Sequence, residues 1–276
     1  MNKSPVVVDA CTVINLLRID EDDFLYKRLK SFNVNIVKEV NDEIRKNVFK
    51  NNLDDDRKTA IDNLLPFLHS ECKLHKNEDV ENDLGTDVVS DLKSFVNHRK
   101  EYNGEFYSAM LSLILSRTEE SKVVFYTDDY RAKEQLSSLY SFQQIGTIDD
   151  TVDLLLTLCS QSENFSESKL EKHLRDLRAE YSRGLKDLIV ALGEEEKKLD
   201  RKDRKRKIIE KIESVYYEAN GDLSQMDLMI KQLGIPKVSK KYKAVSINGY
   251  GNDIRIVRKI EATLAYLGKM KLYKVV

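Results

Sequence analysis

Short β-branched runs alternating with helical patterns over residues 1–159, then an almost purely helical pattern over 160–276, predict an α/β domain with a parallel sheet followed by an α-helical domain. Three observations carry this. Val6–Val8, Val34–Val37, Val123–Tyr126 and Phe142–Ile145 are apolar runs of buried-strand length bounded by polar residues. Helical stripes separate them, and strands joined through helices imply right-handed crossovers and a sheet covered on both faces. The charge balance also changes sign between the halves: 20 Lys+Arg against 29 Asp+Glu in residues 1–159 (−9), and 26 against 18 in residues 160–276 (+8).

In chain order, the first strand leads through Asp9 into a helix begun by Thr12–Leu17. After the second strand, Val40, Ile44 and Val48 form a stripe at i, i+4, i+8. Residues 50–100 are acidic and weakly patterned; Asn51–Asp56 reads as a loop, Lys58–Phe67 as a helix, and the whole as a helical insertion overhanging the sheet edge. Phe106, Met110, Leu113 and Ile114 mark the helix before the third strand. The fourth strand is followed by Gly146-Thr147 and a closing helix, Thr151–Cys159. Ser160–Ser168 reads as a linker. Beyond it Leu170, Leu174, Leu177, Tyr181, Leu185, Leu188 and Leu192 form a packing seam in steps of four and three. Glu194–Lys207 is almost pure charge, and Ile208, Ile209, Ile212 and Val215 resume an apolar face, as in a helical hairpin ended by Gly221. An amphipathic segment at Leu223–Leu233, a break at Gly234-Ile235-Pro236, a loop at Asn248–Asn252 and a final helix near Ile254–Leu267 complete the chain.

Composition removes several classes of function. Charged residues at 34% and hydrophobic residues at 41% suit a folded, soluble protein with exposed helices. No apolar run spans a bilayer, and Asp9, Asn15 and Arg18 interrupt the segment that would have to serve as a signal peptide, so a cytoplasmic location without membrane partners is expected. Cys11, Cys72 and Cys159 are odd in number and dispersed, which disfavours both a disulfide framework and a zinc site. Four histidines leave little material for a histidine-based hydrolase.

What remains is a series of acids at strand ends and helix starts: Asp9 after the first strand, Glu43 on the helix after the second, Glu105 at the start of a later helix, and Asp128-Asp129 after the third strand. In a parallel sheet these positions converge at the carboxyl edge, where ligands of such folds bind. Several carboxylates in one cleft repel one another, and a divalent cation offsets that repulsion. Oxygen donors suit Mg2+ or Mn2+, and metal-assisted phosphodiester hydrolysis is the reaction such clusters serve, without a protein nucleophile. Each acid alone has a plainer explanation. Asp9 suits a helix cap, Glu105 suits a helix dipole, Glu39 and Glu43 share a face that suits solvent, and Asp128-Asp129 suit a turn.

The joint pattern resembles the PIN-domain ribonucleases, the family that includes toxin components of bacterial toxin–antitoxin pairs. The resemblance covers residues 5–158 and rests on Asp9 followed by Asn15-Leu16-Leu17, on Val40-Asn41-Asp42-Glu43-Ile44, on Gly104-Glu105, and on Thr127-Asp128-Asp129-Tyr130-Arg131-Ala132 with Ile145-Gly146-Thr147. It implies a three-layer α/β/α domain with Asp9, Glu43, Glu105 and Asp129 as the catalytic acids. Asp9, Glu105 and Asp129, with Asp128 as the alternative for the last, would hold Mg2+ or Mn2+. Cys11 stands where family members carry a small polar residue, and the interval from Glu43 to Glu105 is long.

Nucleic acid is the expected partner, RNA before DNA. Arg45, Lys46 and Arg131 flank the acids and suit phosphate contacts, as does Arg204-Lys205-Arg206-Lys207 in the basic half; a solvated helix surface accounts for the same residues. Tyr216-Tyr217, Tyr242 and Tyr250 interleave with Lys240, Lys241 and Lys243, as in a base-stacking surface or in tyrosines packed against a bundle. A protein inhibitor of the antitoxin kind and a homodimer through helices are further expectations. Two other readings stand beside the ribonuclease: an inactive PIN-like interaction protein, and a DNA nuclease of phage defence.

Overall fold

The computed structural model describes residues 5–20, 24–48, 66, 68, 70, 72–97, 103–162, 164–217, 226–247 and 250–274. The helix expected at Lys58–Phe67 lies almost wholly outside the described residues. The chain forms two compact units, 1–177 and 178–276.

The first unit runs β1 (Pro5–Val8), α1 (Ala10–Ile19), α2 (Phe24–Leu29), β2 (Asn33–Val37), α3 (Lys38–Val48), β3 (Lys73–His75), α4 (Asn77–Leu84), α5 (Thr86–Phe95), α6 (Asn103–Thr118), β4 (Val123–Tyr126), α7 (Tyr130–Phe142), β5 (Gly146–Asp149), α8 (Thr151–Ser160) and the first turns of α9 (Glu167–Glu196). The five strands form one parallel sheet in the order β3-β2-β1-β4-β5. Successive strand residues face opposite ways, and Val6, Val7 and Val8 are 2%, 0% and 1% exposed, so helices cover both faces of the central strand. Each such burial contributes about 1.5–3 kcal/mol before the entropy of ordering the chain is set against it. α6 packs along β1, β2 and β4 through Phe106, Met110 and Leu113.

Two strand assignments differ from the sequence pattern. Phe142, expected in a strand, ends α7 and is 78% exposed; β5 begins at Gly146, and Ile145 before it donates to the Tyr140 carbonyl at 3.1 Å and accepts the Val123 amide at 3.0 Å. An aromatic next to Ile145 imitates a strand, but a helix leaves Phe142 on its solvent side. β3 carries no apolar signal because a three-residue edge strand, Lys-Leu-His, buries little.

The second unit comprises the rest of α9 with α10 (Arg204–Tyr217), α11 (Met226–Leu233), α12 (Pro236–Ile247) and α13 (Tyr250–Lys274). Leu188, Leu192, Ile209, Ile212, Ile230, Leu233, Val238 and Ile254 form its core. Gly234, at φ +61°, ends α11 in the left-handed conformation, and Pro236 opens α12 with the φ its ring already imposes. The leucine seam therefore serves two cores: Leu170, Leu174 and Leu177 are buried within the first unit, Leu188 and Leu192 within the second. The residues expected to link the halves are correspondingly part of the first unit. Phe165 and His173 are buried there, and the His173 ring nitrogen meets the Ile19 carbonyl at 3.2 Å. Among the described residues no helix is long and apolar enough to cross a membrane.

Candidate metal centre

Parallel pairing places the ends of β1 and β4 side by side, Val8 opposite Tyr126, so the residues that follow each strand emerge at one edge. Asp9 follows β1 and is 5% exposed. Its amide donates to the Tyr126 carbonyl at 2.9 Å, which continues the ladder and fixes the backbone. Its side chain caps α1: Oδ1 accepts the Ala10 amide at 2.7 Å. Oδ2 accepts two further donors, the Thr127 hydroxyl at 2.9 Å and the Cys11 thiol at 3.0 Å. Burial raises the Asp9 pKa; these three donors oppose the rise, and the charge of Asp129 adds to it.

After β4, Thr127 links both acids of interest, since its hydroxyl oxygen also accepts the Asp129 amide at 3.1 Å. Asp129 caps α7, its Oδ1 accepting the amides of Arg131 (2.8 Å) and Ala132 (3.4 Å). Asp128 has different surroundings. Its Oδ1 accepts the Thr151 amide at 2.8 Å, and its Oδ2 accepts the Asn15 amide group at 2.8 Å and the Thr151 hydroxyl at 2.5 Å. The buried Asp128 thus ties α1, β4 and α8 together, and of the adjacent pair Asp129 is the more exposed.

Glu43 and Glu105 reach the same region on helices. A strand entered at its amino end must be preceded by a helix that starts at the carboxyl edge, which is why Glu105, in the first turn of α6, lies there. α3 and α6 meet closely: a Cβ on Gly104 would stand 3.6 Å from the Val40 side chain, one turn before Glu43. Glu105 is half-buried, and its pKa is pushed up to about 8 by burial first, then by Asp9, Asp129 and Glu43, while a backbone amide works the other way. Glu43, at the exposed rim, is raised by burial and by Asp9 and Asp129, with Lys46 opposing. The charges of Asp9 and Asp129 thus reach both glutamates, and Asp129 also reaches Asp9. Among the described residues, no three His, Cys, Asp or Glu side chains already form a group able to hold a metal ion, so what the acids share is a field and not yet a coordination sphere.

Burial and the charges of Asp9 and Asp128 push the Cys11 thiol well above its ordinary range, which disfavours a thiolate, and the thiol donates to Asp9 while its sulfur accepts the Asp128 amide at 3.2 Å. Thr127, Asn15 and Thr151 hydrogen-bond the acids; the sequence marked Asn15 and Thr127 only as parts of the motifs behind the resemblance, and Thr151 only as the start of the closing helix.

Of the basic candidates, Lys46 and Arg131 are exposed and Arg45 is half-buried, all three on the elements that carry Glu43 and Asp129. In the second unit Arg204, Lys205 and Lys207 are exposed on the first turn of α10, whereas Arg206 pairs with Glu196 at 2.8 Å and Glu210 at 3.5 Å. No family model matches the sequence, and neither a curated protein nor a solved structure matches it.

Proposed function

We propose that this protein is a metal-dependent endonuclease of the PIN type that hydrolyses phosphodiester bonds in RNA with Mg2+ or Mn2+. The observation that carries the reading is that, at the carboxyl edge of a parallel sheet, burial and then the charges of Asp9 and Asp129 raise the pKa of both Glu43 and Glu105, while burial and Asp129 raise that of Asp9. Buried like charges of this kind are unfavourable alone and favourable around a small dication.

The donor set fits a hard cation, since all four are carboxylates and oxygen ligands suit Mg2+ or Mn2+ better than soft metals. Asp9, Glu105 and Asp129 would hold the ion, with Glu43 completing the acidic set; Asp129 is preferred to its neighbour as the more exposed of the pair, Asp128 being buried where it ties Thr151 and Asn15 together. When bound, the ion supplies a polarised phosphate oxygen and a water acidic enough to attack. The chain's own part is to orient. The bonds to Ala10, Cys11 and Thr127 pin Asp9, the cap on α7 pins Asp129, and α3 and α6 carry Glu43 and Glu105. Lys46 and Arg131, exposed on the elements that carry Glu43 and Asp129, would meet backbone phosphates beside the acids.

The test is cleavage of end-labelled RNA in Mg2+ or Mn2+ by the full chain, by Asp9→Asn and by Glu105→Gln. Each substitution lowers cleavage by about two orders of magnitude or more, the size expected when transition-state charge stabilisation is removed; parent-like cutting by both ends the proposal. Duplex and single-stranded DNA in the same assay address the phage-defence reading. The second unit, with a core of its own, favours one alternative specifically: an interaction protein that binds a protein or nucleic-acid partner without catalysis. A scaffold gains no thermal stability from Mn2+, whereas a metal centre does, because the ion binds only the folded state.

A further inference from the structure

This inference rests on the reading of Asp9 as a cation ligand and concerns how its carboxylate is presented. An ionised carboxylate offers about four lone-pair positions, two on each oxygen. At Asp9 three are taken: the Ala10 amide at 2.7 Å occupies one on Oδ1, and the Cys11 thiol at 3.0 Å and the Thr127 hydroxyl at 2.9 Å occupy both on Oδ2. The one left is on Oδ1.

The two donors on Oδ2 are themselves held in place. The Thr127 oxygen accepts the Asp129 amide at 3.1 Å, and the Cys11 sulfur accepts the Asp128 amide at 3.2 Å. An N–H at the oxygen and another at the sulfur direct the O–H and S–H hydrogens towards Asp9. The two groups stand 3.6 Å apart, so they crowd the same carboxylate oxygen from two strand ends. A carboxylate so held ligates through one oxygen.

We propose that Cys11 and Thr127 are positioning residues that keep Asp9 a one-oxygen ligand, and that they thereby select a small six-coordinate cation over calcium. Mg2+ and Mn2+ sites accept single carboxylate oxygens and keep water in the remaining positions. Ca2+ takes six to eight oxygens, often through carboxylates that give both. With Oδ2 occupied, Asp9 cannot help calcium reach that number.

The experiment uses the full-length, metal-free protein. Mn2+ binding is read by the electron paramagnetic resonance of the free ion, and Ca2+ binding by its displacement of bound Mn2+. The variants are Cys11→Ala and Thr127→Val, with Cys11→Ser and Thr127→Ser as conservative replacements; circular dichroism checks that each is folded. Wild type prefers Mn2+ to Ca2+, and in Cys11→Ala and Thr127→Val that preference falls about tenfold or more, the size that partners of metal ligands carry, while both serine variants keep it within about threefold. An unchanged preference in the folded alanine and valine variants overturns the proposal, as does an equal loss in the serine variants. Should Thr127→Val not fold, Cys11→Ala decides by itself. Absence of Mn2+ binding by wild type removes the metal centre itself, a failure of the proposed function that is distinct from a failure of selectivity.

Discussion

At Glu105 burial and the charges of Asp9, Asp129 and Glu43 act together on one carboxyl. Its carboxyl titrates near 8 in the folded chain and near 4.5 when unperturbed. Below the lower value both states are protonated and the contribution to stability is complete. Between the two the folded chain holds a proton that the unfolded chain has released, so stability is lost as pH rises through about 8. Urea unfolding of the metal-free protein from about pH 5 to about pH 9 should therefore show falling stability, flattened in Glu105→Gln. If Glu105 holds Mn2+ as proposed, the ion competes with the same proton and its affinity should rise over this interval. At this scale the acids were legible in the sequence, because strand ends and helix starts identify themselves. Their partners were not. Thr127 donates to Asp9 across 118 positions and Asn15 to Asp128 across 113, and no local pattern encodes a hydrogen bond of that span. That Thr151 and Asn15 engage Asp128 and not Asp129 was equally hidden from the sequence.

Among the elements, β5 is the most informative. A Cβ at Gly146 would stand 2.0 Å from the Val123 carbonyl oxygen, so a side chain there displaces backbone from backbone. Gly146→Ala should cost about 2 kcal/mol or more in urea unfolding, because overpacking against a paired strand has no rotamer through which to relax. Three strands were readable from their valine-rich runs, since a central parallel strand is buried on both faces and must be apolar throughout. The fourth run was displaced because Phe142 and Ile145 lie at the junction of a helix and a strand, and hydrophobicity alone does not say which element owns each. α12 escaped notice for a related reason: Lys237, Lys240, Lys241 and Lys243 dilute its apolar face, which only the surrounding helices of the second unit define.

Over the whole molecule, the acidic centre and the basic half make opposite electrostatic demands on a polyanion. If the second unit grips RNA, binding weakens with salt in proportion to the phosphates neutralised, at about 0.7 in the logarithmic slope for each contact to a single strand. Arg204→Ala, Lys205→Ala and Lys207→Ala combined should then reduce that slope by about 2, whereas Arg206→Ala, whose guanidinium is already paired with Glu196 and Glu210, should change it less. Filter binding of inactive Asp9→Asn protein over a salt series measures this. An unchanged slope in the triple variant places the RNA contacts outside the start of α10.

From sequence by itself came the alternation of strands and helices, the helical second half, the charge reversal and the acids at strand ends, all consequences of local periodicity and composition. Tertiary structure decided where the cores divide, because the leucines of α9 are equivalent in sequence yet pack into two different interiors. It also decided which carboxylate oxygens are occupied by protein donors. That depends on neighbours brought together by parallel pairing of distant strands, and a hydrogen bond forms between groups that are close in space, whatever separates them along the chain.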